Sequence, residues 1–551
     1  MRPSSVQACC IDLACVAIGL TGCFGYGGDE LLPFQGMVEK SGMSATESAV
    51  AVTLGTTSQA LLGDPQALAF QARFNNCAQD PRVIAGLVSQ TICAGASVFF
   101  GETFAGNGRT CGSCHPVANN TTLDTSFIEA LHAASPGDPL FIFENDPDLA
   151  QLETGDLRNQ AAILENVDGF EAPTTKFVSR GVTHVLSMKT SIKADTGDGT
   201  TNPPSERAGW GGDGAEDGTL RGFLAEAVKQ HFTRRLDRVA DVDFRSPEPA
   251  EADAVAEFQL SLGRQNELQL QRVRLFDPRA EDGRLAFLDP ERGRCNFCHA
   301  NAGANSQVTG NNRNFDTGTR NSSPLTLGTF NGEPMSDGGF GGRGLTEPDL
   351  VPNAFGKGTF SPPPLIEAAD TAPFFHDNLK ILSGGAQDLQ DAIVFYTRND
   401  FKLSPGAQET RDFFGTEPDL QPQDAGVIVL FLDTLNGALN MDIARQRLNA
   451  ALTLVQRFGN TGVDIQKKLM ELARVEIDDA IEVLSDPADV LYPVAIDRLN
   501  GARDEINQGL AASTSGERLN RIDNARSRVL NARDQIGDNV TFQLGQGNLM
   551  F

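Results

Sequence analysis

Two pentapeptides in this chain share the pattern C-x-x-C-H: Cys111-Gly-Ser-Cys114-His115 and Cys295-Asn-Phe-Cys298-His299. In this pattern both thiols bond to the vinyl groups of a heme, and the imidazole that follows becomes an axial ligand of the iron. One turn of backbone then holds all three groups against the same edge of the porphyrin. A redox dithiol or half a zinc site would explain a lone C-x-x-C, but neither explains a following His twice. We therefore expect two covalently bound heme c groups.

The charge of the chain restricts its partners. It has 72 acidic and 45 basic residues, for a formal net charge of −27. This argues against nucleic acid or an anionic membrane surface as a partner. It suits electrostatic steering of a small basic redox protein, although acidity that only maintains solubility is an equal alternative.

Heme c is attached outside the cytoplasm, so an export signal is expected. Residues 1–23 provide an apolar run followed by Leu20-Thr21-Gly22-Cys23, which has the form of a lipoprotein cleavage site. A plain cleaved signal is the alternative. We expect a periplasmic or cell-envelope protein with a tether at 24–63 and no later membrane-crossing stretch. Any contact with the membrane would then be through a lipid anchor.

Four cysteines lie in this leader and four in the motifs, which leaves Cys77 and Cys93. In an oxidising compartment these two are expected to form a disulfide, with two free buried thiols as the alternative.

Apolar residues at three- and four-residue spacing predict a helix before each motif and another well after it. The opening helices are at 94–100 and 283–288, and the closing helices at 252–262 and 425–435. We therefore expect a mainly α protein with two cytochrome c-like heme domains, 64–264 and 265–440, containing long irregular loops. From Met441 the composition changes, and apolar stripes predict a C-terminal helical hairpin or bundle at 441–551.

Residues 106–116 resemble the first heme site of the bacterial di-heme cytochrome c peroxidases. Residues 371–377 and 388–396 resemble the second-domain signature of that superfamily, which includes the di-heme enzyme that matures methylamine dehydrogenase. The resemblance covers about 90–440 and is loose outside these segments.

The resemblance implies roles for four further residues. Tyr396 would be the sixth ligand of the second heme, the alternative being a buried Tyr bonded to backbone. Trp210 would relay electrons between the hemes, the alternative being a packing Trp in a Gly-rich loop. The carbonyl groups of Thr371 and Pro373 would help to hold a calcium ion.

The chain departs from that family at the catalytic acid/base. The family has a Glu about twenty residues after the Trp, where this chain has Gln230-His231, with Glu226 slightly earlier. His231 would transfer the proton instead, or would ligate iron and close the site. His184 is either a distal iron ligand or a hydrogen-bonded core His.

The expected function is that of a di-heme c-type oxidoreductase. It would reduce hydrogen peroxide, or oxidise a partner through heme, with electrons passing between the hemes and a small redox protein as donor or acceptor. A di-heme electron carrier without substrate turnover is the alternative. A structural or assembly role led by the C-terminal helices is a third hypothesis.

Overall fold

The computed structural model describes residues 65–147, 149, 156–166, 178–195, 205–209, 218–319, 329–330, 333–334, 339, 359–378, 388–485 and 490–551. The expected leader, the tether and Trp210 lie outside these residues. The prediction of a mainly α fold is confirmed, since helices predominate in the described part and its strands form only two-stranded antiparallel sheets.

Ten α-helices lie within the described residues up to position 264, a region that we call the first repeat (65–264). They are α1 (Pro65–Cys77), α2 (Pro81–Ile84), α3 (Gln90–Gly101), α4 (Cys111–Cys114), α5 (Thr125–Ala134), α6 (Ile142–Asn145), α7 (Asp156–Gln160), α8 (Met188–Ser191), α9 (Leu220–His231) and α10 (Pro249–Leu260).

The second repeat (265–440) and the segment after it contain the remaining described helices. They are α11 (Pro278–Leu288), α12 (Leu389–Phe395), α13 (Asn399–Lys402), α14 (Pro405–Phe414), α15 (Pro422–Phe458), α16 (Val463–Leu484), α17 (Pro493–Ala511) and α18 (Ser515–Arg533). The strands are β1 (Ala162–Glu165), β2 (Val178–Gly181), β3 (Arg274–Leu275), β4 (Thr329–Phe330), β5 (Glu333–Pro334) and β6 (Gly537–Asp538), paired as β1–β2, β3–β6 and β4–β5.

The same helix crossing occurs once in each repeat. In the first, Gly95 of α3 meets α10 so closely that a Cβ at this position would stand 1.9 Å from the Ala254 carbonyl oxygen. In the second, a Cβ on Gly283 of α11 would stand 1.8 Å from the Val427 carbonyl oxygen of α15. Only glycine allows two helix backbones to approach this closely.

Aromatic rings pack in the same way beside each crossing. Phe99 of α3 meets Phe258 of α10 at 5.4 Å between ring centroids, and Phe287 of α11 meets Phe431 of α15 at the same distance. All four rings are buried. The opening and closing helices predicted from apolar spacing therefore form the cores beside the two motifs.

Helix α15 is continuous across the boundary that we predicted at 440/441. Its 37 residues begin in the second repeat and extend well beyond it, so no break in structure separates the two there. It is also long and apolar enough to cross a membrane, contrary to the expectation that no later stretch would be. However, 89% of its most apolar window is buried inside the protein, as in the core helix of a soluble domain.

The C-terminal helices pack in chain order around α15. Helix α16 returns along α15, α17 packs on α16, and α18 packs on both α17 and α15. On α18 an apolar stripe is buried at Ile522, Ala525, Val529 and Ala532, in line with the apolar stripes predicted for 441–551.

The segment after α18 returns to the first repeat. The Gly547 amide donates to the Ser261 carbonyl at 2.9 Å, and the Gly263 amide donates to Asn548 Oδ1 at 2.7 Å. The ring of Phe551 packs edge-on against Phe100 at 5.8 Å. Residues 545–551 therefore connect the C-terminal helices to the first motif's helix bundle.

The predicted disulfide is present. Cys77, at the end of α1, is bonded to Cys93 in α3, across a sequence separation of 16 residues. The bond fixes α1 against the opening helix of the first repeat.

Candidate functional site

The first C-x-x-C-H motif forms a single capped helical turn. The Thr110 amide donates to Ser113 Oγ at 3.0 Å, and the His115 amide donates to the Cys111 carbonyl at 2.9 Å. This turn brings both thiols and the imidazole onto one short stretch of backbone, as the spacing predicts.

The His115 ring is held by its Nδ1 atom. Nδ1 lies 2.8 Å from the Thr121 carbonyl oxygen, so it donates its proton there and leaves Nε2 without one. Burial lowers the pKa of His115 to about 4, which keeps the imidazole neutral at neutral pH. A neutral ring with its Nδ1 bonded to a carbonyl is prepared for metal binding through Nε2.

The second motif repeats this arrangement with a different partner. The His299 amide donates to the Cys295 carbonyl at 2.9 Å, and Nδ1 of the ring lies 3.0 Å from the Pro363 carbonyl oxygen. Burial lowers the pKa of His299 to about 4 as well. The backbone angles agree closely, with φ −116° and ψ 63° at His115 and φ −119° and ψ 61° at His299.

The four motif thiols are unbridged and largely covered by protein. Burial raises the pKa of Cys111 and of Cys295 to about 12, and raises the pKa of Cys298 also. A redox-active C-x-x-C needs a lowered thiol pKa, so this environment argues against that alternative. No cluster of three or more His, Cys, Asp and Glu side chains suited to a metal occurs in the described residues.

An arginine precedes each motif and anchors it to a later segment. Arg109 is fully buried, donates to the carbonyl groups of Pro139 and Leu140, and lies over the Phe143 ring at 4.3 Å. Arg294 donates to the Thr416 carbonyl at 3.0 Å. Both guanidinium groups hold backbone in place, a role that the sequence alone does not predict.

Tyr396 lies beside the second motif, at the C-terminal end of α12. Burial raises the pKa of its phenol, and the nearby thiols of Cys298 and Cys295 raise it further. Its ring packs edge-on against Phe401 at 4.8 Å. Among the described residues no group hydrogen-bonds to the hydroxyl, so the alternative of a backbone-bonded phenol has no support there.

His184 lies close enough to His115 to lower the pKa of that ring. The Leu186 amide donates to His184 Nδ1 at 3.3 Å, so Nδ1 accepts and the proton of the neutral ring is on Nε2. A neutral histidine that binds iron through Nε2 carries its proton on Nδ1, which is the opposite tautomer. This hydrogen bond is the kind expected of a hydrogen-bonded histidine, and the choice between the two alternatives for His184 stays a prediction.

His231 also affects the pKa of His115, and it has a carboxylate partner that we did not foresee. His231 Nε2 lies 3.3 Å from Oε1 of Glu165, which ends β1. Helix α9 is fixed to that strand because Gln230 Nε2 donates to the Leu164 carbonyl at 3.3 Å. Glu226 lies on α9, five residues before His231, and is not the residue that contacts it through Nε2.

The two carbonyl groups proposed for calcium lie in one turn after the helical segment at 368–370. Thr371 is buried and its Oγ1 donates to the Glu367 carbonyl at 2.8 Å, while Pro373 follows a cis peptide bond. Neither main-chain oxygen accepts a hydrogen bond from the described residues. The calcium site stays a prediction.

A polar cavity of about 20 Å³, room for one water-sized guest, lies where both repeats meet α15 and α16. Asp370 is central to it: Oδ2 accepts from the amides of Asn436 at 2.8 Å and Asn440 at 2.7 Å, and its carbonyl accepts from Asn120 at 3.2 Å. Burial, together with the charge of the nearby Glu476, raises the pKa of Asp370 to about 7.

No protein-family model, curated protein or solved structure matches this chain.

Proposed function

We propose that this protein is a di-heme c-type oxidoreductase of the cell envelope, built from two cytochrome c-like domains and a C-terminal helical bundle. The observation that carries the proposal is the repeated local geometry of the two motifs. In each, a histidine with a pKa of about 4 directs Nδ1 to a backbone carbonyl and leaves Nε2 free, beside two unbridged thiols.

The residues present fit two heme c groups. Cys111 and Cys114 would hold the first by thioether bonds with His115 as axial ligand, and the second motif would hold the other in the same way. When bound, each heme supplies an iron that changes its oxidation state by one electron and, with a free coordination position, binds a small oxidant.

Tyr396 is proposed as the second axial ligand at the second motif. Tyr396 is half-buried, its pKa is raised mainly by burial and further by the thiols of Cys298 and Cys295, and its hydroxyl has no hydrogen-bonding partner among the described residues. A buried phenol stays neutral until a cation compensates its charge. A ferric iron held by His299 would supply that charge, and the phenolate would in turn stabilise the oxidised form.

Proton transfer at the first motif is assigned to His231, with Glu165 orienting its ring. The pair takes the place of the glutamate that the resembling family uses. Reduction of hydrogen peroxide is the proposed reaction, and Trp210 is proposed to pass electrons between the two hemes. The carbonyl groups of Thr371 and Pro373 would hold Ca²⁺ between them and other oxygen ligands.

The test is a count of hemes on protein matured in a bacterial periplasm. Intact mass and the pyridine hemochrome assay should give two hemes per polypeptide in the wild type. Cys111→Ala with Cys114→Ala should give one, and so should Cys295→Ala with Cys298→Ala. A control that removes only the disulfide, Cys77→Ala with Cys93→Ala, should keep two. Wild-type protein without two added hemes would overturn the proposal.

The electron-carrier alternative makes a different prediction for cyanide. Peroxide reduction requires a high-spin ferric heme that binds cyanide rapidly at the first motif. Two low-spin hemes indifferent to cyanide would instead favour a carrier without substrate turnover.

A further inference from the structure

One buried arginine is shared by two carboxylates. Arg264 is fully buried; its Nη1 donates to Glu267 Oε2 and its Nε donates to Glu367 Oε1, each at 2.9 Å. We call these three residues the Arg264 cluster. With both carboxylates ionised, the cluster has an excess of one negative charge, which one bound proton would neutralise.

The pairing inside the Arg264 cluster is incomplete. Glu367 is 1% exposed, yet its Oε2 has no hydrogen-bonding partner among the described residues, and Arg264 Nη2 has none there either. A buried charged group that lacks part of its hydrogen bonding is costly. The excess negative charge is therefore not compensated by the groups around it, and the form with one proton bound is favoured.

The proton is expected at Glu267 rather than at Glu367. Oε1 of Glu367 accepts from Ser187 Oγ as well as from Arg264, and two donors stabilise the ionised carboxylate. Glu267 has 26% of its side chain exposed, so it exchanges a proton with solvent directly. Burial raises the pKa of Glu267, and the charge of Glu367 raises it further against the opposing effect of Arg264.

The Glu267 carboxylate packs against the loop that carries the axial histidine of the second motif. Asn305 Nδ2 donates to Glu267 Oε1 at 3.3 Å, and a Cβ on Gly303 would stand 2.5 Å from Glu267 Oε2. The carbonyl oxygen of Gly303 lies 3.3 Å from His299 Nδ1. A single residue thus separates the carboxylate from the imidazole, and charges at this range interact strongly where water is excluded.

Other titratable and charged groups face the cluster from the elements packed around it. Besides burial, which lowers the pKa of His184, the charges of Glu367 and Arg264 act on that pKa. Glu367 also lines the polar cavity described above, whose other charged residues are Asp370, Arg447 and Glu476. All of these groups are kept in the variants below, so a difference between variants reports on Glu267.

We propose that the Arg264 cluster is a proton-binding site coupled to the second heme, in which Glu267 takes one proton from solvent when the iron held by His299 gains one electron. This rests on the proposed function, because it needs a heme at Cys295 and Cys298. The redox partner loses the electron, the iron changes from ferric to ferrous, and the proton offsets the added negative charge. The O–H bond at Glu267 is the one bond that forms.

The experiment measures the reduction potential of each heme in the full chain as a function of pH, by spectroelectrochemical titration with small mediators. Glu267→Gln is compared with Glu281→Gln. Glu281 pairs with Arg284 at the same three-residue spacing and has 25% of its side chain exposed, but within the described residues no second carboxylate shares that arginine. A third variant, Glu267→Asp, keeps a carboxyl group at the site.

The potential of the second heme in the wild type should fall as pH rises above about 4.3, the ordinary pKa of a glutamate. The fall is limited to about 59 mV for each tenfold change in proton concentration, the value for one proton per electron. Glu267→Gln should lose most of this slope, because its amide binds no proton. Glu281→Gln and Glu267→Asp should keep the slope.

A potential that does not depend on pH in the wild type would overturn the coupling without any variant. So would a slope that survives in Glu267→Gln, or one that is lost in Glu281→Gln as well.

Proton binding by the cluster has a second readout that needs no heme. Because folding raises the pKa of Glu267, the wild type should lose stability relative to Glu267→Gln as pH rises above about 4.3, which thermal unfolding measures. Failure of the proposed function would appear as polypeptide without hemes that keeps this difference. Parallel unfolding curves for the two proteins would overturn the proton-binding site itself.

Discussion

Gly283 and Val427 bring two helix backbones together so closely that a Cβ at position 283 would stand 1.8 Å from the Val427 carbonyl oxygen. No side-chain rotation relieves such a contact, so α11 and α15 would have to separate. Gly283→Ala should therefore lower the free energy of unfolding by at least about 3 kcal/mol, the upper range for overpacking a core.

The matched control is Gly426→Ala, on the same helix as Val427. A Cβ at position 426 would meet nothing within 4 Å. This variant should be stabilised by about 0.5–1 kcal/mol, because alanine favours a helix over glycine. Denaturant unfolding followed by circular dichroism measures both, and equal stability of the two variants would contradict the close contact.

Tyr396→Phe should change the second heme site and leave the fold intact. Losing a phenolate ligand destabilises ferric iron, so the reduction potential should rise by on the order of 100 mV, a fraction of the roughly 0.8 V that axial ligands span. Redox titration and electron paramagnetic resonance measure this. Tyr492→Phe is the control, since that hydroxyl accepts from the Asp277 amide at 3.4 Å instead. An unchanged spectrum for Tyr396→Phe would rule out ligation.

His231→Gln should lower the kcat for peroxide reduction by about 10²–10⁴-fold, the usual contribution of a positioned acid/base group. Glu165→Gln should have a smaller effect and should shift the pH profile, because it removes the partner 3.3 Å from the ring and keeps the ring itself. The control is His132→Gln, which replaces an imidazole that packs on the Phe141 ring. Wild-type kcat in His231→Gln would exclude this role.

Asp370→Asn should make stability less dependent on pH. Burial raises the pKa of Asp370 to about 7, above its unfolded value, so the folded protein binds the extra proton. The contribution of the Asp370 carboxyl to the free energy of unfolding is fully present below about pH 4 and is lost as pH rises through 7. The amide introduced by the substitution stays neutral at every pH, and its oxygen still accepts from Asn436 and Asn440.

The wild type should therefore lose up to a few kcal/mol between pH 5 and pH 8 relative to the Asp370→Asn variant, since one pKa unit corresponds to about 1.4 kcal/mol. Thermal unfolding at several pH values measures the difference. Asp497→Asn, at an exposed site on α17, should follow the wild type. Parallel curves for wild type and Asp370→Asn would contradict the assignment.

Local patterns in the sequence were enough to predict the motif turns, the opening and closing helices and the Cys77–Cys93 bond. Each of these depends on residues close together in the chain or on a small count of cysteines. The boundary predicted at 440/441 lies inside α15, because a change of composition does not end a helix. Gly437 is buried within α15 against Leu484, and the helix continues through it.

Two of the site contacts that sequence reasoning missed join distant chain segments. Glu165 reaches His231 across 66 residues, and the Pro363 carbonyl reaches His299 across 64. A carbonyl acceptor leaves no trace in residue type, so Thr121 and Pro363 could not be identified in advance. Glu165 had no signal either, since it ends a short strand with no motif.

The return of residues 545–551 to Ser261 and Gly263 has a consequence for biogenesis. The first repeat emerges before residues 545–551 during synthesis, yet part of its packing, including the Phe100–Phe551 contact, waits for them. The bundle beside Cys111 and Cys114 is therefore complete only once residues 545–551 have folded back onto it.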